Sequence, residues 1–508
     1  MAFQISPGIN ISEIDLTTVI PSVASSIGAI AGKFAWGPVN EVVTISNEVR
    51  LVEIFGKPNN DNYEYWFSAA NFLAYSNNLK VVRASGSGTA AATGTYFKAK
   101  YPGVLGNSLR VEAVATDEFS TWTYNKQFTN PPSTDELHII VIDEDGVISG
   151  TPGTLLEKFA FVSTSESAKS FDGSSNYYAN VLETRSRYIL SADEFSWNSA
   201  IIFEESLDLG SDGTISAGNI QTAYDLFENS DSVDISLLIS GPANQTVANH
   251  LIDNIAEVRK DCIVFVSPEK ADVVNSFGTE ATNILSYRNS LTSSSYAVMD
   301  SGWKYQYDKY NDVYRWVPLN ADIAGLCART DLETDPWFSP AGLRRGVVKN
   351  VVKLAWNPTK ADRDDLYLKG VNSVVSFPGE GTVLFGDKTL LNRPSAFDRI
   401  NVRRLFIVLE KSISLASRST LFEFNDQFTR AQFVNLVEPY LRDVQGRRGI
   451  TDFRVVCDET NNTPEVIDRN EFIGDIYIKP SRSVNYIQLN FIAVRTGVSF
   501  EEIVGRTV

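Results

Sequence analysis

The sequence has 508 residues, of which 43% are hydrophobic, and this length and composition allow two to four domains with hydrophobic cores. Its formal net charge of −17 argues against non-specific nucleic-acid binding, because that binding depends on lysine and arginine side chains that neutralise phosphates. No run approaches the ~18 apolar residues of a membrane span, and the start, MAFQISPGIN, lacks the pattern of a secretion signal.

The first 22 residues are predicted to form an extended intersubunit arm. Apolar residues alternate at Ile9, Ile11 and Ile14, and Pro21 ends the segment. A single alternating strand is not stable by itself and needs the edge of a sheet. We therefore expect these isoleucines to pair with another subunit.

Two separate stretches, residues 23–84 and 206–375, are predicted to form one central α/β domain. Strands are expected over residues 26–35, 79–83, 236–240, 262–267 and 296–299, and helices over residues 64–75, 217–228, 247–260, 271–289 and 342–355. This alternation of strands and helices is typical of a parallel or mixed sheet with helices on its faces.

The intervening part is predicted to be a linker followed by a β-rich domain. Residues 85–95, SGSGTAAATGT, have side chains that bury little and restrict the backbone little. Residues 96–205 are predicted to be mostly β, with alternating runs at 107–115 and 137–142. The run Asp143–Gly146 indicates a hairpin turn. A calcium site there is disfavoured because an EF-hand loop requires further ligands at fixed spacings.

Residues 376–508 are predicted to form a C-terminal α+β assembly domain that ends in a second arm. Amphipathic helices are expected over 402–418 and 428–444, glycine breaks at 446 and 449, and strands over 450–457, 473–479 and 485–495. Residues 391–508 carry 16 basic and 15 acidic residues, so the negative charge lies in the rest of the chain.

Five arginines of this domain are candidates for its interface with a neighbour: Arg403, Arg404, Arg442, Arg447 and Arg448. The planar guanidinium group binds carboxylates in a bidentate manner, which suits interfaces. The alternative is that they form pairs within the chain, with Asp398, Glu438 and Asp443. Arg447 and Arg448 are the stronger interface candidates, since the glycines beside them expose the turn.

No residue is predicted to have a catalytic, cofactor-binding or metal-binding role. The chain has two histidines, His138 and His250, and neither lies in a motif for nucleophilic catalysis or zinc binding. Its three cysteines stand alone in apolar surroundings, as expected of reduced, buried thiols. The spacing from Gly381 to Gly386 resembles a phosphate-binding loop, but Asp387 precedes the lysine and would repel phosphate.

Several long segments are similar to those of contractile-phage tail sheath proteins, and most closely to the T-even type of myovirus sheath. They are VPLNADIAGLCARTD at 317–331, WFSPAG at 337–342, YQYDKYND at 305–312, FDRINVRR at 397–404, NNTPEVIDRNEF at 461–472, PGINISEID at 7–15 and YPGVLGN at 101–107. The T-even sheath carries a protruding domain before the last of these segments. Here residues 85–95 occupy that place, so no role of that domain is expected.

The resemblance implies a virion tail protein, assembled in the host cytoplasm, without a cofactor. Its partners would be other copies of itself in stacked hexameric rings, the tail tube, and the baseplate and tail terminator proteins, without nucleic-acid binding or membrane insertion. Contraction would drive the tube through the host envelope. The central domain would be subtilisin-like in shape, without a catalytic triad. The alternative from a different class is a cytoplasmic α/β hydrolase or nucleotide-dependent enzyme with a β accessory domain.

Overall fold

The structure is a computed structural model that describes residue 20 and residues 23–92, 96–192, 202–485 and 488. The strands of these ranges are β1 Gly28–Gly32, β2 Val42–Ile45, β3 Leu79–Arg83, β4 Phe97–Ala99, β5 Leu109–Val114, β6 Glu136–Asp143, β7 Thr154–Ser163, β8 Ile189–Ser191, β9 Phe203–Ser206, β10 Leu237–Ile239, β11 Ile263–Val266, β12 Ala297–Asp300, β13 Trp303–Asp308, β14 Val313–Pro318, β15 Lys353–Leu354, β16 Val371–Phe377, β17 Gly381–Phe385, β18 Ile450–Val456 and β19 Asp475–Pro480. The helices are α1 Glu48–Phe55, α2 Tyr63–Leu73, α3 Tyr178–Arg185, α4 Ala217–Asp225, α5 Gln245–His250, α6 Glu257–Arg259, α7 Lys270–Val273, α8 Glu280–Ser290, α9 Asn320–Glu333, α10 Lys360–Leu368, α11 Ile400–Ser417, α12 Gln427–Gly446 and α13 Pro464–Asp468.

An eight-stranded sheet organises the central part of the molecule, in the order β17-β16-β12-β11-β10-β1-β3-β2. The six inner strands pair in parallel, and β2 and β17 pair antiparallel at the two edges. Strands β1, β10, β11 and β12 are buried along their whole length, as expected for parallel strands covered by helices. Residues on both sides of the β-rich insertion thus contribute strands to this one sheet.

Helix α9 lies against this sheet, and most of its residues are buried. It packs on α2, where Gly325 allows the close approach of Tyr75: a Cβ atom at position 325 would lie 2.3 Å from Cδ2 of that ring. The contact fixes the segment before the insertion to the segment after it.

The helix predicted over residues 342–355 is wrong. The segment instead contains a turn at residues 343–345, and its backbone pairs with neighbouring strands: the N–H of Gly342 donates to Leu384 O at 2.9 Å, and that of Val348 donates to Thr382 O at 2.9 Å. Farther along, β15 joins the antiparallel pair β13 and β14. Residues 342–355 thus pair with successive strands and do not form one helical face.

The helix predicted over 271–289 is also interrupted. The structure has the short helix α7 and then α8, with a left-handed residue at Asn275 and a glycine at 278 between them. By contrast, the helical stretch predicted over 247–260 is present as α5, a π-helical turn at Leu251–Ala256, and α6.

Residues 96–192 and 202–206 form the β-rich part of the chain. Its main sheet is antiparallel, in the order β7-β6-β5-β9, and β4 pairs with β8. Strand β6 is almost completely buried, and it contributes to a hydrophobic core separate from that of the central sheet. The turn predicted at Asp143–Gly146 is the beginning of a longer connection from β6 to β7, since β7 starts only at residue 154.

The segment predicted as a flexible linker is paired along much of its described length. Thr89 and Ser211 exchange two backbone hydrogen bonds of 2.9 Å, and the N–H of Ala92 donates to Asp208 O at 3.0 Å. Ala91 is completely buried. The small side chains permit this pairing, since a Cβ atom at Gly88 would lie 2.7 Å from Ser211 O. The two segments that connect the β-rich insertion to the central domain, around Thr89 and Ser211, therefore run side by side.

The C-terminal part consists of α11, α12 and the antiparallel pair β18 and β19. Both helices match the predicted ones within two residues, but Gly446 belongs to the last turn of α12 instead of breaking it. The boundary predicted between residues 375 and 376 falls inside β16, and β17 also belongs to the central sheet. The C-terminal part thus begins after this strand pair.

Both predicted arms lie largely outside the described residues. Ile9, Ile11 and Ile14 belong to this group, as does most of the strand predicted over 485–495. Among the helices that the structure describes, none combines the length and apolar character needed to cross a bilayer.

Candidate assembly interface

The C-terminal module, residues 400–480, has its own hydrophobic core. Its two long helices each contribute one apolar face: Leu405, Leu409 and Ile413 from α11, and Phe433, Val437, Leu441 and Val444 from α12. These residues are spaced three or four positions apart, which places them on one side of each helix. The module therefore holds its shape by packing, and its charged residues occupy the remaining faces or the contacts with the central domain.

Arg404 belongs to the contact with the central domain and not to a free surface. Its side chain is 3% exposed, and its guanidinium group lies 2.6 Å from Oδ2 of Asp331 on α9. It also donates to Cys327 O at 3.2 Å and to Ser25 O at 3.3 Å. These contacts join α11, α9 and the segment before β1, so Arg404 stabilises the fold of a single chain.

Arg403 is buried too. Its guanidinium carbon lies 4.3 Å from the ring centre of Tyr296 and 4.5 Å from that of Phe397, which are cation–π distances. Its nearest carboxylate is Glu410, at 3.4 Å. The expectation that Arg403 and Arg404 face a neighbour therefore needs correction, because the central domain and Phe397 enclose both side chains.

The other three arginines, Arg442, Arg447 and Arg448, are exposed, and the first two form ion pairs within the chain. Arg442 lies 3.8 Å from Glu438, and Arg447 lies 3.5 Å from Asp443, so two of the expected pairs within the chain are present. Arg447 also contacts Asp335 and stacks 5.1 Å from the ring centre of Trp337. The third expected acid, Asp398, lies instead beside Arg399.

Arg448 is the most available cation of this group. It is exposed and forms no ion pair within the part of the chain that the structure describes. Its φ of 67° places it in the left-handed region that reverses the chain after α12. Gly449 then packs closely, because a Cβ atom there would lie 2.7 Å from Cγ1 of Val444. The turn thus leaves the Arg448 side chain exposed.

A buried polar cluster lies where the central sheet meets α9. Lys304 forms an ion pair of 2.9 Å with Asp322, and both side chains are almost completely buried. Nearby, the hydroxyl of Ser267 donates to Asp300 at 2.7 Å and accepts from the backbone N–H of Asn320 at 2.9 Å. Burial raises the pKa of Asp300 to about 8. The cluster is enclosed by the fold, so its hydrogen bonds connect elements rather than present a nucleophile to a substrate.

The two histidines have structural partners. His138 accepts from the backbone N–H of Phe161 at 3.1 Å and stacks on Phe128 with ring centres 4.1 Å apart. His250 lies 2.6 Å from Asp225. Burial raises the pKa of Cys262 and of Cys327 to about 12, which keeps both thiols protonated and unreactive.

The residue that interrupts the phosphate-loop spacing has a structural role. Asp387 accepts from Ser339 and Ser483, at 3.0 and 2.7 Å, and lies 2.9 Å from Arg399. Burial alone would raise the pKa of this carboxyl, but the Ser483 hydroxyl and the Arg399 charge outweigh it and lower the pKa below its ordinary value. The ionised carboxylate joins the central sheet to the segment after β19.

The carboxylate of Asp143, at the predicted turn, also has hydrogen-bond partners within the chain. Asp143 accepts from the hydroxyls of Ser108 and Ser149, at 2.6 and 2.7 Å, and from the N–H of Ile148 at 3.0 Å. These donors satisfy the carboxylate in the way a cation would. Within the described ranges, no group of three or more histidine, cysteine, aspartate or glutamate side chains is arranged to hold a metal ion.

Three family models match the chain. Residues 213–390 match the phage tail sheath protein central domain, residues 392–493 match the phage tail sheath C-terminal domain, and residues 25–84 match the N-terminal region of domain III of tail sheath protein Gp18. The matched ranges include the central sheet and the C-terminal module. The β-rich insertion lies between them.

Two curated relatives extend over the whole chain. The tail sheath protein of Enterobacteria phage T4 is 32% identical over 662 aligned residues, which include 99% of each protein. That of Vibrio phage KVP40 is 32% identical over 677, with 99% of this chain and 100% of the relative. Both alignments are longer than the 508 residues of this chain, so the relatives contain segments that it lacks.

Solved structures share the fold at lower identity. A PVC sheath complex of an extracellular contractile injection system, in the contracted state, superposes with a TM-score of 0.57 at 14% identity, with 99% of this chain and 100% of the other covered. A sheath tail protein from Listeria innocua gives 0.58 at 12% identity, with 90% and 96% covered. The chain therefore belongs to the phage tail sheath family, and it is a structural subunit of a contractile virion tail rather than an enzyme.

Proposed function

We propose that this chain polymerises as stacked hexameric rings around a tail tube and that the polymer shortens to drive the tube through the host envelope. The observation that carries the proposal is the 32% identity to the T4 tail sheath protein along the whole chain. Solved relatives support it, since they include a helical sheath in the contracted state and a baseplate. We extend the proposal to contacts with the tube, baseplate and tail terminator, and to assembly in the host cytoplasm.

The internal contacts of the chain are suited to this task. Buried ion pairs such as Arg404–Asp331 and Lys304–Asp322 fix the C-terminal module and α9 to the central domain. Rings that shift against one another need subunits that do not deform internally, together with contacts between subunits that hold during the movement. No cofactor is required if the energy of contraction is stored in the lattice of the extended polymer.

The proposed domains follow the elements of the structure, with one boundary moved. We propose an arm over 1–22, a central domain whose parallel sheet has a subtilisin-like layout without a triad, a β-rich insertion over 96–205, and a C-terminal assembly domain. Because β16 and β17 pair with each other at the edge of the central sheet, the last domain begins after Phe385 and not at residue 376.

The surface through which subunits contact one another is proposed to include Arg442, Arg447 and Arg448, which are exposed on the C-terminal module. The arm residues Ile9, Ile11 and Ile14 are proposed to add a strand to a neighbouring subunit. Main-chain hydrogen bonds between strands can persist while rigid domains rotate.

Electron microscopy of the purified chain tests the proposal. We expect negatively stained rings or tubes from the full-length chain, and soluble, folded monomers after deletion of residues 1–20. Replacement of Ile11 by proline should act like the deletion, because proline cannot donate to a strand ladder, whereas Ile11→Val should assemble normally. A full-length chain that remains monomeric at all concentrations would contradict self-assembly, and a deletion variant that still forms tubes would contradict the role of the arm.

A further inference from the structure

A groove of about 680 Å³ lies between the central domain and the C-terminal module. Apolar side chains in its lining include Trp337, Phe338 and Phe385. Its cationic side chains are Arg345, Lys360, Arg363, Arg448 and Arg482. The groove thus combines an aromatic surface with several guanidinium and ammonium groups.

The cations of the groove lack acidic partners. None of the five forms an ion pair within the described residues. Two carboxylates are present, but Asp387 is already bound by Arg399 and two serines, which leaves Asp364. In a chain with a net charge of −17, this concentration of unpaired positive charge attracts an acidic occupant.

A loop of matching chemistry lies between α11 and α12. Residues 421–426, LFEFND, form this loop, and we call it the acidic aromatic loop. Phe422 is fully exposed, and Phe424 is 84% exposed. Glu423 lies between them, is also exposed, and has no ion pair among the described residues. Exposed phenylalanines on both sides of a carboxylate without an ion pair are typical of a surface that is covered in an assembly.

The loop and the groove lie at opposite ends of one helix. The loop directly precedes α12, and Arg448 follows its last residue by two positions. A helix of 20 residues is ~30 Å long, so α12 holds the loop away from the groove of its own chain. A contact between two different surfaces of identical subunits is heterologous, and repetition of it generates rings or helical filaments.

We propose that the acidic aromatic loop of one subunit docks in this groove of a second copy. Phe422 and Phe424 pack against the aromatic lining, and Glu423 pairs with Arg448 and Arg363. The inference rests on the proposed self-assembly and identifies one of the contacts that produce it.

A charge exchange tests the pairing. Glu423→Lys and Arg448→Glu each place like charges in contact, and each should raise the concentration needed for polymerisation about tenfold at low salt. The chain that carries both substitutions restores an opposite pair between positions 423 and 448 but leaves the new lysine beside Arg363, so it should polymerise at a concentration between those of the single variants and the wild type. Glu459→Lys is the matched control, because Glu459 is exposed in the same module and has no ion pair among the described residues.

A disulfide trap tests the geometry. The native cysteines at 262, 327 and 457 are buried, so they contribute little background. With Phe422→Cys and Ala341→Cys in one chain, oxidation of assembled protein should give a ladder of covalent multimers on a non-reducing gel, since Ala341 lines the groove. Either cysteine alone should give no ladder.

The outcomes separate the contact from self-assembly as such. If the wild type polymerises while the charge variants polymerise equally well and no ladder forms, the contact is wrong and the proposed function stands. If the ladder is replaced by an internally linked monomer, the loop occupies its own groove, and the proposal is again wrong. If a cysteine introduced within residues 489–508 cross-links to Ala341→Cys while Phe422→Cys does not, the groove belongs to the chain's own tail, and the proposal is wrong. If the wild type never assembles, both proposals are contradicted.

Discussion

Replacement of Arg404 by methionine is expected to destabilise the monomer strongly. The substitution keeps much of the aliphatic volume but removes the charge that lies 2.6 Å from Asp331. The Asp331 side chain is 7% exposed, so water cannot replace the lost guanidinium group fully. Removal of one partner from a buried ion pair costs about 3–5 kcal/mol of unfolding free energy. The hydrogen bonds to the carbonyls of Cys327 and Ser25 are lost as well.

Urea unfolding followed by tryptophan fluorescence measures this effect, because the chain has eight tryptophans. The measurement is made at a concentration where the protein is monomeric. Arg448→Glu is the matched control, and its unfolding free energy should change by less than about 0.5 kcal/mol, as for an exposed residue without a partner. Arg404→Met combined with Asp331→Leu should recover much of the loss, since no buried charge then lacks its partner. A change of less than about 1 kcal/mol for Arg404→Met would refute the structural role of this pair.

Three further substitutions or treatments have defined outcomes. The native pKa of Asp300 is about 8 and its ordinary value is 3.8, so the folded state retains a proton that the unfolded state loses, and stability should fall between these values as pH rises. Urea titrations at several pH values should show that the unfolding free energy of Asp300→Asn falls less steeply with pH than that of the wild type. The two slopes should differ by at most ~1.4 kcal/mol per pH unit. Gly325→Ala should lower the unfolding free energy by ~1–3 kcal/mol in the same assay, because the new methyl group overlaps the ring of Tyr75. A thiol reagent should leave Cys262 and Cys327 unlabelled in the native protein and label both in urea, and fast native labelling would contradict their burial.

The sequence predicts the elements of this fold well wherever one periodicity dominates. Helices α11 and α12 have apolar residues on one face, and β3 was predicted with its correct bounds. The spacing of apolar residues over 342–355 suits a helix, although the segment forms none. Its backbone nevertheless bonds to β17 and to Tyr305, and such pairing with distant strands has no local signal.

The burial of Arg403 and Arg404 was not predicted, for a related reason. Arg403 and Arg404 are consecutive residues of a helix, so they project about 100° apart and a single covered face does not bury both. They are buried because the central domain and Phe397 enclose α11 from more than one direction. The groove and its loop were not predicted either, because the groove residues come from six separate segments of the chain and the loop is a seventh. Only the two phenylalanines of the LFEFND segment could have indicated the loop.

The backbone pairing of Thr89 with Ser211 should allow the β-rich insertion to be exchanged for another domain. Both ends of this unit leave the central domain at the same place, held by two backbone hydrogen bonds of 2.9 Å. A foreign domain with adjacent termini could therefore be grafted between these residues without altering the path of the central sheet. Repeated on every subunit, such a graft would turn the tail into a regular array for displaying enzymes or antigens.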